Sequence, residues 1–397
     1  MKKFMSSLPA KLLLGIIAGI VVGLIVPEAV MSVLVPIKNI MGQLINFIVP
    51  LIVIGFIAPS ITKLGNNASK MLGIALILAY TSSVLAATMS AVAGYILVPI
   101  MNIADKAAEL KALPDDVFAL SIPQIMPVMS ALVFAVLIGL AAVWTKAKTI
   151  TAVLDEFQQI VLKLVEKVII PVLPFFIACT FACLAYEGTI TKQLPIFLMA
   201  VVVVLVGHFI WMAVLYGVAG AYSGKSPKEV FKYYGPAYLT AVGTMSSAAT
   251  LSVALECAHK SPVLRKDMVD FGIPLFANIH LCGSVLTETF FCFIVSLILY
   301  GKLPSVGTMV LFIILFGVFA VGAPGVPGGT VMASLGIVTS VLGFGPEGTA
   351  LLIAIFAIQD SFGTACNVTG DGALTLILTG YCEKHGLAMQ ENISVDL

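Results

Sequence analysis

IQDSFGTACNVTGD, residues 358–371, lies inside an apolar run that extends from about Gly348 to Tyr381. It nevertheless holds two carboxylates, Asp360 and Asp371, with Thr364, Asn367 and Thr369 between them. A carboxylate at bilayer depth costs several kcal/mol unless it is paired or wetted, so such residues mark function by default. On a helix the 4, 3, 4 spacing of Asp360, Thr364, Asn367 and Asp371 places all four on one stripe. At about 1.5 Å per residue the two carboxylates stand roughly 16 Å apart, enough for two separate stations along a path.

The rest of the chain agrees with a membrane setting. Of 397 residues, 60% are hydrophobic and only 10% charged, the composition of a polytopic membrane protein. A net charge of +1 gives no footprint for a nucleic-acid partner. The seven cysteines are odd in number and sit in apolar runs, which argues against a disulfide framework. Cys179 and Cys183 are one turn apart but have no histidine beside them, so they read as packing residues. The first apolar run has no convincing cleavage site and is expected to remain as a span.

In chain order, Leu12–Pro27 is the first span, with Gly15, Gly19 and Gly23 at the spacing of close helix packing. Leu34–Ile61 is the second, expected to be broken by Pro50 and Pro59, and Lys70–Met101 is the third. A polar loop carrying Asp105, Glu109, Asp115 and Asp116 follows. Ser121–Trp144 is the fourth span, interrupted early by Pro123 and Pro127. Thr149–Ala185 enters as a surface helix and turns apolar after Val168. Leu194–Tyr222 is the sixth span. Lys2 and Lys3 and the lysine-bearing turns near 63–70, 146–148, 225–232 and 260–266 then fall on the cytoplasmic side, with both termini inside a cell inner or plasma membrane.

That count works only if residues 226–259 enter and return from inside and 305–343 enter and return from outside. TMSSAAT (Thr244–Thr250) and GAPGVPGG (Gly322–Gly329) lie in the middle of these segments. Neither stretch makes a good continuous helix in lipid, because Gly and Pro free backbone groups that hydrocarbon cannot satisfy. Paired interruptions of this kind point to a transporter's binding site. The fold class expected is therefore all-α: eight transmembrane helices plus two re-entrant helical hairpins.

With these motifs in place, the sequence resembles the dicarboxylate/amino acid:cation symporters, which include the glutamate transporters. TMSSAATLS resembles the family's first hairpin tip and GAPGVPGG the second. IHLCGSVLTE stands where the family has Asn-Met-Asp-Gly-Thr, and NVTGD (Asn367–Asp371) matches the last span's signature letter for letter. Gln359–Ser361 with Thr364, Ala365 and Asn367 is similar to the serine/threonine:sodium symporter branch. The resemblance implies an elevator-type homotrimer. Scaffold helices would occupy 1–69 and 102–189, and a transport domain 70–101 and 190–397.

Carried over by position, the resemblance makes Asp360 the residue for a substrate's α-amino group. Asn367 and the tip at Ser246 and Ser247 would hold its carboxylate. Ser284 and Thr364 would line the side-chain region, and Ala323 through Pro327 would form the second gate. Asp371 would anchor a sodium ion together with backbone carbonyls near Phe276, His280 and Asn367.

Departures from the family pattern narrow the expected function. Acidic-amino-acid carriers place an arginine at the position of Gly363, and some relatives place one at the position of Met245. Arg265 is the chain's single arginine, so the bidentate fork for a side-chain carboxylate is missing. Gly363 is also expected to leave room for a larger side chain. Cys282 replaces a carboxylate of a further sodium site, and a thiol is a poor ligand for a hard cation. Glu288 aligns with a proton-carrying glutamate, and His280 could titrate as well. His208, alone in the sixth span, reads as structural. The expected function is sodium-coupled symport of a neutral amino acid such as serine, threonine or alanine, not enzymatic catalysis. The alternative is transport of an acidic amino acid, a dicarboxylate or a larger neutral amino acid, with a proton carried through Glu288. An intramembrane aspartyl protease is disfavoured, because it needs its two carboxylates close enough to share a proton. A simple channel would not need two opposed hairpins.

Overall fold

The computed structural model describes residues 8–66, 70–101, 113–115, 117–123, 125–323, 325 and 327–386. Lys2, Lys3, Asp105, Glu109, Asp116, Pro324 and Val326 lie outside the described residues. Helices are the regular structure throughout the described residues. Four of them are long and apolar enough to cross a membrane by length and composition: Met71–Met101, Ile196–Ser223, Lys266–Tyr300 and Pro346–Lys384.

Helices α1 (Leu8–Ile25), α2 (Glu28–Asn66) and α3 (Lys70–Leu97) open the chain. The glycine stripe of α1 lies against the helix Ile170–Tyr186: a Cβ added at Gly15 would come within 2.6 Å of the Pro174 carbonyl oxygen, and the same collision recurs at Gly19 with Ala178 and at Gly23 with Ala182. Only residues without side chains allow two backbones so close. The break expected in the second span does not occur. Pro36, Pro50 and Pro59 sit inside one continuous 39-residue α2. Packing against the following helices keeps such a helix together where an isolated proline would end it.

α4 (Val128–Trp144) begins just after Pro127, so Ser121–Pro127 is not part of that helix. α5 (Lys148–Leu164) runs through a five-residue π-helical segment, Val165–Ile169, into α6 (Ile170–Tyr186). The register shift falls where the amphipathic pattern becomes apolar, as expected around Val168. α7 (Thr189–Ser223) follows, and then a short turn of helix, α8 (Lys228–Phe231).

Two interrupted helix pairs come next. α9 (Gly235–Thr244) and α10 (Ser247–His259) pack on each other around a turn at Met245 and Ser246. Met245 adopts φ 54°, ψ 26°, a left-handed conformation that non-glycine residues rarely take. α11 (Lys266–Ile279) and α12 (Cys282–Tyr300) lie in one apolar stretch of span length. The helix in fact breaks at His280 and Leu281, whose backbone is non-helical. α13 (Val306–Gly322) and α14 (Gly329–Ser340) also pack on each other, and the chain between them crosses the GAPGVPGG stretch.

α15 (Pro346–Lys384) is the centre of the second half. It packs against α7, α9, α11 and α12, and 78% of its most apolar stretch is buried. The corresponding stretch within Lys266–Tyr300 is 94% buried, against 39% for Met71–Met101 and 33% for Ile196–Ser223. So α11, α12 and α15 are the inner helices, while α3 and α7 turn apolar faces outward. Lys38 on α2, itself buried, reaches Glu347 in the first turn of α15 at 3.1 Å and joins the two halves.

Candidate functional site

α15 carries Asp360, Thr364, Asn367 and Asp371 on one buried face, and the two carboxylates serve different neighbourhoods. Asp360 Oδ2 accepts the backbone N–H of Gly328 at 2.7 Å. Gly328, at φ 72°, is the N-cap of α14, so the carboxylate sits at the positive end of that helix. Asp371 Oδ1 lies 2.9 Å from His280 Nδ1 at the break between α11 and α12.

The two hairpin turns meet over Asp360. Ser246 Oγ donates to the Gly325 carbonyl at 2.8 Å, and the Ala248 N–H reaches the same oxygen at 3.3 Å. Ser246 Oγ also accepts from the Ala249 N–H and caps α10. Beneath this contact lies a cavity of about 10 Å³, room for about one water molecule. Ser247, Ser284, Asp360, Thr364 and Asn367 line it, together with Met245, Leu281, Gly325 and Thr330.

The structure thus brings five of the expected substrate residues to one cavity. Ser246, Ala323, Pro327 and Gly363 do not line it: Ser246 is taken up by the contact between the turns, and Ala323 is buried where α13 ends. Thr330 is a lining residue that no sequence motif singled out.

Gly363 packs closely against the start of α12. A Cβ there would stand 3.3 Å from the Ser284 N, Cα and Oγ atoms. Across the same contact, a Cβ on Gly283 would come within 2.5 Å of the Gly363 carbonyl oxygen. The two glycines bring the start of α12 closely against α15.

Asn367 profits from it. Its Oδ1 accepts the Gly283 N–H at 2.7 Å and the Ser284 N–H at 3.3 Å, while its Nδ2 donates to Ser284 Oγ at 2.9 Å. From the other side, His208 Nε2 on α7 lies 3.0 Å from the Gly283 carbonyl and 2.9 Å from Thr287 Oγ1. His208 therefore holds the same turn that Asn367 caps, a role its isolated place in the sequence did not reveal.

His280 anchors the break to α3 as well as to α15. His280 Nε2 lies 2.8 Å from Ser82 Oγ on α3, and the His280 N–H donates to the Phe276 carbonyl at 2.9 Å. Tyr216 OH on α7 donates to the Thr369 carbonyl. Among the described residues Asp371 has no lysine or arginine partner, only the imidazole of His280. Asp371 is thus a buried carboxylate beside a break in the neighbouring helix. Cys282 is buried beside Cys366 and Gly370.

Glu288, fully buried on α12, takes a short hydrogen bond from Ser334 Oγ on α14, and its Oε2 has no partner among the described residues.

A helical membrane bundle with two interrupted helix pairs around a carboxylate-bearing central helix has the form of a secondary transporter. The profile of the sodium:dicarboxylate symporter family matches residues 8–381, and the chain belongs to that family. It is 29% identical over 224 residues to excitatory amino acid transporter 2 of Mus musculus, covering 54% of this chain and 38% of the relative. It is 28% identical over 269 residues to the putative sodium-dependent excitatory amino acid transporter glt-4 of Caenorhabditis elegans, covering 65% and 52%. With excitatory amino acid transporter 3 of Mus musculus it shares 31% over 173 residues, 44% of this chain and 33% of the relative. The matched regions span about half or less of these relatives' own lengths.

Proposed function

We propose that this chain is a secondary active transporter that carries a neutral amino acid, of the size of serine, threonine or alanine, together with sodium. The observation that carries the reading is Asp360: a buried carboxylate, roofed by an amide and rimmed by Ser247, Ser284 and Thr364, in a cavity with no cationic side chain among its lining residues. The ammonium group of an amino acid would replace the Gly328 N–H as the partner of Asp360. Asn367 and Ser247 would take its carboxylate. The hydroxyls of Ser284 and Thr364 suit a small or hydroxylated side chain. A side-chain carboxylate would enter without a counter-charge, at a cost of several kcal/mol.

Bound sodium would neutralise Asp371 and stiffen the break at His280. In this reading the contact of Ser246 and Ala248 with Gly325 is the closed gate, and substrate enters when the turn after α13 lifts from it. Eight spans and two re-entrant pairs, a trimer of copies, and α3 with α7–α15 moving as a unit against α1, α2 and α4–α6 complete the proposal. Both termini would face the cytoplasm. A thermal-shift screen of the proteinogenic amino acids and common dicarboxylates, with and without sodium, tests it. Stabilisation by serine, threonine or alanine that needs sodium is expected. Tight binding of aspartate, glutamate or succinate with no neutral competitor would overturn it.

A second reading rests on Glu288. A buried carboxyl between α12 and α14 could carry a proton, and the substrate would then be an acidic amino acid, a dicarboxylate or a larger neutral amino acid. Proton-driven uptake in vesicles without sodium would favour this reading.

A further inference from the structure

α3 and α7 both pack on α12 but only lightly on each other, and the gap between them is an apolar cavity of about 310 Å³. Its floor is Leu286 and Phe290 of α12, both buried. Met89, Ala93 and Leu97 form one wall and Val203 and Gly207 the other. Val202, Val206 and Ile210, all more than half exposed, form the rim. The cavity exists because its walls are short: Ala93 and Gly207 stand where larger side chains would close it. Ser90, the polar lining residue, is already satisfied, since its Oγ donates to the Leu286 carbonyl at 2.6 Å.

We propose that this cavity is a binding site for one acyl chain of a bilayer lipid. The lining is apolar apart from Ser90, whose hydroxyl proton is already used, so the site suits hydrocarbon. The apolar faces beside it identify the source. Ile77, Leu85, Val92 and Ile96 on α3, like the rim residues on α7, are exposed along spans long enough to cross a bilayer, so lipid tails cover this side of the protein. Shape separates a tail from a second copy of the chain. A helix is about 10–12 Å across with its side chains, so a cavity of about 310 Å³ takes part of an acyl chain rather than a helix. From Met89 to Leu97 the slot follows α3 for roughly 12 Å, the scale of part of one tail. Leaving it void would forfeit the dispersion contacts of Leu286 and Phe290, which a tail restores. The occupant lies one turn beyond Gly283 and Ser284, the residues that cap against Asn367, so it steadies the helix that builds the polar cavity. The proposal does not depend on which substrate the protein carries.

The test uses the full chain in phosphatidylcholine vesicles whose lipid carries a photoactivatable diazirine halfway along one acyl chain. After illumination, labelled residues are mapped by mass spectrometry. Labels are expected on Ala93, Leu97, Val203 or Gly207 as well as on Ile77 and Leu85, which serve as the outward-facing reference. Gly207→Leu, and separately Ala93→Leu, should remove the cavity labels and keep those at Ile77 and Leu85; the retained reference labels show that each variant is folded and embedded. Labels confined to the reference positions in the unmodified protein, or cavity labels unchanged in both variants, would overturn the proposal. Absence of labels at Val202 and Val206 too would assign this face to another protein chain. Failure of the membrane reading itself would appear differently, as no labels even at Ile77 and Leu85.

Discussion

His280 lies 2.9 Å from Asp371 through Nδ1 and 2.8 Å from Ser82 through Nε2, so one buried imidazole ties α3 to α15 across the break between α11 and α12. Neither contact is local: Ser82 is 198 residues from His280 and Asp371 is 91. The pair defines the lower station of the central helix, and Asp360 the upper.

Asp371 is expected to be the anchor of sodium binding. Asp371→Asn should abolish the rise in melting temperature that sodium produces, because ligand stabilisation scales with the logarithm of occupancy. Cys282→Ala should retain it, since a buried thiol is a poor donor to a hard cation. Loss of the sodium effect in Cys282→Ala as complete as in Asp371→Asn would show that position 282 belongs to a sodium site after all.

For Asp360, Asp360→Asn should weaken binding of the neutral amino acid by roughly 2–5 kcal/mol, the usual cost of removing one partner from a buried charge pair. Isothermal titration with the best ligand from the thermal screen reads this directly. The amide can still accept the Gly328 N–H, so the fold and the closed turn should survive. An unchanged affinity would remove Asp360 from the binding site.

At Gly363 the geometry predicts an asymmetric outcome. Gly363→Ala must push Ser284 by a few tenths of an ångström and should lower affinity, because Ser284 Oγ and Asn367 Nδ2 move together. Gly363→Arg is expected to disturb Ser284 without creating aspartate binding, since a Cβ at 363 already stands 3.3 Å from the Ser284 N, Cα and Oγ atoms. Aspartate binding by Gly363→Arg would mean that α12 yields more easily than its packing indicates.

Glu288→Gln keeps an oxygen for the Ser334 hydroxyl while removing the titratable group. With sodium as the coupling ion, the variant should bind, exchange and accumulate substrate with the pH profile of the parent. Retained exchange with loss of the pH dependence of net uptake in proteoliposomes would instead favour the proton reading.

The contact between α1 and α6 should be intolerant of any side chain. Gly19→Ala or Gly23→Ala forces a Cβ into the carbonyls of Ala178 or Ala182 and should cost about 1–3 kcal/mol, as overpacking does. Melting in detergent, followed by a thiol-reactive dye at the seven free cysteines or by loss of the monodisperse peak, checks it. Alanine at Gly73, where an added Cβ meets nothing within 4 Å, is the control and should be neutral.

The sequence alone determined the features that depend on nearest neighbours along the chain. Apolar runs of span length, the Ser-rich and Gly/Pro-rich interruptions at 244–250 and 322–329, and the 4, 3, 4 stripe on α15 are all written in local periodicity and helix-breaking chemistry. They marked Asp360, Thr364, Asn367 and Asp371 as one polar stripe, while Ser247 and Ser284 came from the resemblance to the symporter family. The glycine stripe of α1 was legible for the same reason, because a missing Cβ has one dominant use in a span.

Tertiary structure decided what depends on which helix approaches which. Pro50 and Pro59 looked like breaks, but the helices packed around α2 keep it continuous, whereas His280 and Leu281 look like ordinary span residues and yet end a helix. At Gly363 the sequence does not record that Ser284, 79 positions earlier, packs closely against it. Thr330 at the cavity, Ser334 against Glu288, and Ser246 drawn into the contact with Gly325 follow the same rule. Each is a single polar residue whose partner lies far along the chain, so its role arises only when packing brings the two within hydrogen-bond reach and excludes the water that would otherwise satisfy them.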